Sequence, residues 1–351
     1  MIPILFPGTA TTFTGLGLGG LTEALRCKVT EERNGIFELE LDYPSNGYLY
    51  SSIALGCIIW ATHDDSGAGQ PFEIYKRSAD IGGVVTFYAH HISYRLLGIA
   101  VKPFSGTSCA DAVSKIVTNS MTTNPFTFTT DKTVATAFTL SAPRSVRALL
   151  GGQEGSLLDV YGQADFKWDK FAVSMLQHRG QDRGVVIRYG EYMTDLEVEL
   201  DTSDLFNAVA PYWEQEGTVV TLTEGYVTDA LTGIVIKVLD CTDHFQSQPT
   251  ESQLRTYAQS YLATYGGMDP ETTITVSFIP PQQTAEGAAS SASMTIRLCD
   301  TVHIEYIGMG LTATAKVVKT DWDALADRYN SIELGKPQAT LADVIIEEVN
   351  K

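Results

Sequence analysis

A chain of 351 residues is long enough for two to four small domains. It carries 42 acidic and 24 basic residues, a formal net charge of −18 at pH 7. This excess of carboxylates argues against a nucleic-acid-binding protein, because it repels phosphate backbones. Hydrophobic residues make up 44% of the chain and charged residues only 19%, a balance that suits β-rich domains with several cores.

Several classes of site and segment are absent from the sequence. The first residues, MIPILFPGTATTF, have no basic stretch and no long apolar core, and no run of 18 apolar residues follows, so we expect neither a signal peptide nor a membrane span. GLGLGG (15–20) fits G-x-G-x-x-G formally, but a β pattern follows it, which predicts a turn rather than a dinucleotide site. The histidines are scattered and no C-x-x-C occurs, so we predict no metal and no cofactor.

Residues 1–105 are predicted to form a first β-barrel. Short β-like runs alternate with turn residues throughout this part. The clearest strand is FELELDY (37–43), in which large apolar residues alternate with the acids Glu38, Glu40 and Asp42. We expect the apolar residues to face a core and the acids to share the opposite face.

Residues 106–200 change to a mixed pattern and are predicted to form an α+β domain. Ser108 is a predicted N-cap residue, with an apolar helical stripe after it. Two short helices and three strands follow. The last run of this part again alternates, with Glu197, Glu199 and Asp201 on one face of a predicted strand.

The last part of the chain is predicted to contain a second β-barrel interrupted by an insertion. We assign residues 201–242 and 293–336 to the barrel. Residues 243–292 and 337–351 are assigned to an inserted or peripheral α+β domain. Its helix is predicted from the capping-box residues Thr250 and Gln253, a stripe of apolar and tyrosine residues, and Gly-Gly at 266–267. IRLCDTVHIEYIGMGLTATAKVVKTDWDALADRYNSIELG (296–335) is expected to close the barrel as a three-stranded meander.

This closing string resembles that of a known family. Its order of L-x-D-T-V, A-K-V-V-K and R-Y-x-S-I-E-L-G is similar to the closing barrel of phage tail hub proteins of the prophage endopeptidase tail family. That family is also described as the phage minor structural protein N-terminal region, and it includes the N-terminal hub of tail-associated lysins. CKVTEERNGIFELELDYP (27–44), FYAHHISY (87–94) and LLGGQEGSLLDVYG (149–162) resemble further family elements in the same order.

The resemblance implies a fold and a role. The expected fold is mainly β: two small antiparallel barrels, an α+β domain between them and an inserted helix-containing domain. The implied role is structural, in a phage or prophage tail tip or baseplate, as in the baseplate hub of contractile-tailed phages. Three subunits would form a ring that joins the tail tube to the tip and leaves a channel for DNA.

The resemblance also implies the partners and the location. Partners would be two further copies, distal tail or tube proteins, and tip or tape-measure proteins, with DNA only in transit. The protein would be made in the bacterial cytoplasm and end in the virion tail.

Catalysis is not predicted. No G-x-S-x-G, H-E-x-x-H or P-loop occurs. The family name mentions an endopeptidase, but the resemblance implies that lytic activity belongs to domains placed after the hub region. Two alternatives stay open: a cell-wall-degrading or peptidase tail enzyme, and a module that binds the host surface.

The two acid ladders are the remaining candidate site. Carboxylates in a straight row do not converge on one ion, so a calcium site is not favoured. Two interpretations remain for Glu38, Glu40 and Asp42, and for Glu197, Glu199 and Asp201. They form either a solvated outer face or the lining of the DNA channel.

Overall fold

The computed structural model confirms a mainly β protein. It describes residues 1–153, 155–188, 193–201, 203, 205–242, 244–245, 247–268, 271–278, 295–306 and 311–335. Much of the predicted inserted or peripheral domain, residues 279–292 and 337–351, lies outside these residues.

The described elements are mostly short strands. In chain order, the strands are β1 (Ile4–Phe6), β2 (Gly19–Gly20), β3 (Arg26–Glu32), β4 (Phe37–Pro44), β5 (Ile58–Thr62), β6 (Gly69–Ala79), β7 (Val84–His91), β8 (Ala100–Val101), β9 (Phe104–Gly106), β10 (Thr127–Thr130), β11 (Phe138–Leu140), β12 (Arg144–Ser145), β13 (Asp165–Asp169), β14 (Ala172–Leu176), β15 (Asp182–Arg188), β16 (Met193–Asp201), β17 (Ala208–Gln215), β18 (Thr218–Thr221), β19 (Val227–Thr228), β20 (Ile236–Asp240), β21 (Glu271–Phe278), β22 (Thr301–Tyr306), β23 (Leu311–Asp323) and β24 (Arg328–Gly335). The α-helices are α1 (Cys109–Asn119), α2 (Val146–Leu150), α3 (Leu157–Tyr161) and α4 (Glu251–Tyr265), and 3-10 turns lie at Tyr50–Ser52 and Ile92–Leu97.

The chain divides into two compact units. The first unit comprises Met1–Glu197 and Ile274–Lys351, and the second comprises Val198–Thr273. Each unit has its own hydrophobic core.

One large sheet dominates the first unit. Its strands are hydrogen-bonded in the order β16-β21-β24-β23-β3-β4-β7-β6-β5-β1-β2, and β22 pairs with both β23 and β15. Strand β4 buries every second residue, as the alternation of apolar and acidic residues predicts. Its apolar side joins the core, and its acidic side faces outward.

Strand β23 forms hydrogen-bonded pairs with one strand from the N-terminal part of the chain and one from the C-terminal part. Its first half pairs with β22, and its second half pairs with β3, placing Trp322 opposite Val29. Thirteen residues extend over about 43 Å at ~3.3 Å per residue, which is long enough for both pairings. The closing meander therefore also completes the sheet built by the first hundred residues.

The start of the meander differs from the prediction. An alternating strand was expected from Ile296, but β22 begins at Thr301. Cys299 adopts a left-handed conformation with φ of 72°, which no extended strand contains. Ile296 and Leu298 are nevertheless buried. The alternation of apolar residues before β22 therefore indicates which side chains are buried, and it does not indicate a strand.

The middle of the first unit is a small α+β assembly, as predicted. Strand β14 pairs in parallel with β10 and antiparallel with β13. Helix α1 packs beside them and begins at Ser108, whose hydroxyl accepts a hydrogen bond from the Asp111 amide at 3.2 Å.

The second unit contains its own sheet and helix α4. Strand β17 pairs with β18, β19 and β20. The predicted capping box is present: the Thr250 hydroxyl accepts from the Gln253 amide, and the Gln253 side chain accepts from the Thr250 amide.

The grouping of strands in this region differs from the predicted arrangement. The sequence pattern predicts one barrel from residues 201–242 and 293–336. In the structure, β17–β20 pair with one another, and they pack their apolar side on α4 through Val209, Trp213 and Leu254. The remaining domain boundaries stay predictions.

Candidate functional site

The outward side chains of neighbouring strands in the large sheet form a charged face. It covers β4, β3, β23 and β24, which lie side by side. Its charged members include Glu32, Glu38, Glu40, Asp42, Asp321, Glu333, Arg26, Lys28 and Lys319.

The first predicted acid ladder lies on this face. Side-chain exposure is 33% for Glu38, 39% for Glu40 and 20% for Asp42. The apolar residues that alternate with these acids are buried: Phe37 and Leu39 are each 1% exposed. The alternation places the acids outward because their apolar neighbours occupy the core.

The acids on β4 are paired with bases on the adjacent strand. Arg26 lies 2.8 Å from Asp42 and 2.9 Å from Glu40, and Thr86 donates a hydrogen bond to Asp42 at 2.7 Å. Partial burial favours the neutral acid, but the hydrogen bonds from Arg26 and Thr86 outweigh it and lower the pKa of Asp42. The carboxylate therefore stays ionised at neutral pH.

A second group of ion pairs lies on the β23 side. Lys28 contacts Asp321 at 2.8 Å, and Lys319 contacts Glu32 at 2.9 Å and Glu333 at 3.1 Å. Burial favours neutral Lys319, but the two glutamates overcome it and raise the pKa of this side chain. Strands distant in sequence are thus held by cross-strand charge pairs.

A shallow cleft of about 370 Å³ runs along this face and is lined mostly by its charged side chains, together with Thr30, Ile36 and Ser331. The nine charged side chains named above comprise six carboxylates and three bases, so this group remains acidic after pairing. This arrangement offers a polar and net negative surface.

The second predicted ladder lies on β16, which contains Glu197, Glu199 and Asp201. Their side chains lie outside the described part of the structure. The structure therefore brings together only Glu38, Glu40 and Asp42 as a described surface.

The adjacent histidines His90 and His91 point to opposite sides of β7, as their positions on a strand predict. His90 lies 3.5 Å from Glu38 and stacks on Tyr75 with ring centroids 3.7 Å apart. His91 is fully buried, with Nδ1 at 2.9 Å from the Ser93 hydroxyl and Nε2 at 3.3 Å from Gln70 Oε1. No group of three or more His, Cys, Asp or Glu side chains in the described residues is arranged to hold a metal ion.

A buried charge network lies on the inner side of β3 and was not anticipated from the sequence. Arg179 Nη1 lies 2.8 Å from Glu31 Oε1, and Arg33 Nε lies 2.6 Å from Asp165 Oδ1. Asp165 also accepts a hydrogen bond from the Arg179 amide at 2.8 Å. Glu31 and Asp165 are at most 2% exposed, so these pairs fix the α+β assembly to the sheet.

One signal in the sequence could have located half of this network. Cys27, Val29 and Glu31 share one phase of the β3 alternation, so Glu31 must point inward and needs a buried cation. Its partner Arg179 is 148 positions away, and no local pattern identifies it.

Four of the five cysteine thiols are poorly suited to nucleophilic catalysis. Cys27, Cys109, Cys241 and Cys299 are buried. Burial raises the pKa of Cys299 to about 12 and that of Cys241 to about 11, so both stay protonated at neutral pH.

Comparison with known sequences gives a family match for the second half of the chain. Residues 181–345 match the family model described as prophage endopeptidase tail. The resemblance to this family that was predicted from the sequence is confirmed over these residues. The match includes the whole closing meander, on which the resemblance was first based. No curated protein sequence matches the chain significantly.

Three solved structures share the fold over nearly the whole chain. The 43 kDa tail protein of prophage MuSo2 from Shewanella oneidensis has a TM-score of 0.61 and 11% identity, covering 96% of this chain and 99% of that one. A tail protein from Neisseria meningitidis MC58 has a TM-score of 0.59 and 11% identity, with 98% of both chains covered. Prophage tail protein gp18 from Listeria monocytogenes EGD-e has a TM-score of 0.56 and 14% identity, covering 100% of this chain and 99% of that one.

None of the helices that the structure describes has the length and apolar character needed to cross a bilayer.

Proposed function

We propose that the protein is a structural subunit of a phage or prophage tail tip or baseplate. Three copies would form a hub ring that joins the tail tube to the tip proteins and leaves a channel for DNA. The observation that carries this proposal is the match of residues 181–345 to the prophage endopeptidase tail family. The end-to-end fold similarity to three tail proteins supports it.

The charged face is our proposed lining of the channel. DNA must pass through a tail without adhering, and bases along its path would bind phosphates. Here Arg26, Lys28 and Lys319 are each held by carboxylates within 3 Å, so their charges are neutralised locally. The remaining carboxylates repel phosphates over about 8–10 Å at physiological salt. The second ladder, Glu197, Glu199 and Asp201, is proposed for the same lining.

A role without catalysis is also part of the proposal. The buried, protonated thiols support it, as does the enclosure of His91 between Ser93 and Gln70. A lytic or peptidase activity of the purified chain, abolished by replacing one described histidine or cysteine, would contradict this part.

The assembly is tested by sedimentation of the purified full chain over a range of concentrations, alone and mixed with the tail tube protein of the same phage or prophage. We expect a species of three times the chain mass, favoured by high concentration or by the partner. A chain that stays monomeric at every concentration and with the partner present contradicts the trimer. Incubation with peptidoglycan and peptide substrates is the parallel test for the enzyme alternative.

A further inference from the structure

A basic cleft lies in the first unit and shares no lining residue with the cleft of the charged face. Its volume is about 630 Å³, in the range of specific binding sites. Its basic members are Arg33, Lys132, His178 and Lys316, and no acidic residue lines it among the described residues. Such a cleft is unexpected in a chain with a net charge of −18.

The bases of the cleft differ in how far they are neutralised. Arg33 is paired with Asp165 at 2.6 Å. Lys132 is 8% exposed, and its ammonium group donates to the carbonyl oxygens of Gly162 at 2.9 Å and Gln163 at 2.6 Å, which orient it without cancelling its charge. Within the described chain, no carboxylate lies in ion-pair distance of Lys132 or Lys316. Two positive charges therefore remain available in the cleft.

Neutral donors complete the lining. Gln163, Gln177 and Thr133 supply amide and hydroxyl groups. Tyr161 also lines the cleft, and its buried hydroxyl has no hydrogen-bond partner among the described residues. Burial raises the pKa of Tyr161 to about 12, so this hydroxyl keeps its proton and can donate. An uncompensated pair of cations with neutral donors around it is suited to carboxylates.

We infer that this cleft receives a carboxylate-bearing segment of a second copy of the chain, an inference that rests on the proposed trimer. The reason is charge complementarity. Copies with 42 acidic and 24 basic residues repel one another over most of their surfaces. Association then depends on the places where a base of one copy meets an acid of the next, and the cleft offers Lys132 and Lys316 for this purpose.

The test compares self-association of full-length variants by sedimentation at low and high salt. Lys316→Glu reverses a charge inside the cleft, and Lys316→Gln removes it. Lys102→Glu makes the same reversal at an exposed lysine outside the cleft. We expect association to weaken about tenfold or more for Lys316→Glu and less for Lys316→Gln. Lys102→Glu should associate like the wild type, and added salt should weaken the wild type. Unfolding midpoints of the variants check that each one is folded.

The outcomes separate this inference from the proposed function. If the folded Lys316 variants trimerise like the wild type, the cleft inference fails while the trimer stands. If the wild type is monomeric, with or without its partner, the trimer and the inference both fail.

A second experiment identifies the ligand chemistry of the cleft. It measures binding of a fluorescent hexaglutamate peptide by anisotropy, with hexaglutamine as the control. Binding of hexaglutamate to a monomeric wild type, lost in Lys316→Glu, would assign the cleft to another protein's carboxylates and overturn the second-copy occupant.

Discussion

Glu31 and Arg179 show how strongly single residues hold this fold together. The ion pair is buried, and each partner lies on a different part of the first unit. Removing one partner leaves the other as an uncompensated buried charge, which costs several kcal/mol. The same chemistry on the charged face is solvated and costs little to lose.

We predict that Arg179→Met lowers the free energy of unfolding by about 3 kcal/mol. The control is Arg26→Met, which removes a pair whose arginine is 45% exposed and is expected to cost under about 1 kcal/mol. Urea unfolding of both variants measures the difference. Equal losses in the two variants would show that the buried network does not lock the unit.

The buried His91 predicts a pH dependence. Burial, together with nearby His63 and Arg147, lowers the pKa of His91 well below its ordinary value. The unfolded chain takes up this proton below about pH 6.5 and the folded chain does not, so folding stability falls as the pH drops below that value. In His91→Gln, the loss of stability between pH 6.5 and 5 should be smaller than in the wild type. An unchanged pH profile would contradict the assignment.

At the scale of elements, regular patterns were predictable and their interruptions were not. Strand β4 follows from the alternation of residues 37–43, and α4 follows from its capping box and its buried stripe of Leu254, Ala258 and Leu262. The break before β22 could not be foreseen, because the left-handed Cys299 packs closely against Gly180, which is distant in sequence. Tertiary contact decides such positions, and local propensity does not.

That junction gives a second stability prediction. Gly180 has φ of 91°, and a Cβ there would lie 2.2 Å from the Cys299 carbonyl oxygen. Gly184 has φ of 70°, and a Cβ there would meet nothing within 4 Å. Gly184→Ala should cost about 1–2 kcal/mol from backbone strain alone. Gly180→Ala should cost clearly more, because backbone atoms must also move. Thermal unfolding of both variants gives the difference, and equal costs would refute the close packing.

At the scale of the whole molecule, the sequence predicted the family and the fold class but not how the ends of the chain meet. The pairing of Trp322 with Val29 joins strands almost 300 positions apart, and neither strand carries a signal for its partner. The acid ladder on β4 was predictable as an outward row. The bases beside it come from β3 and β23 and required the strand order of the sheet.

The charged face leads to a prediction about DNA passage. Changing Glu38, Glu40 and Asp42 together to lysine should slow DNA ejection from assembled particles, because unpaired bases would bind the phosphates. The matched control changes three acids that are not members of the charged face, Asp111, Asp159 and Glu214, to lysine. Ejection measured by dye uptake at low salt should be slowed only by the first change. Normal ejection from particles that carry the face variant would remove the face from the channel lining.

The central claim is that three copies of this chain surround the DNA channel at the tail tip. Cryo-electron microscopy of intact tails tests it most directly. We predict a ring of three copies directly below the tail tube, with the β3–β4 side of each large sheet turned toward the central channel. A tail tip that lacks this chain, or that holds it in a number other than a multiple of three or away from the channel axis, would contradict the claim.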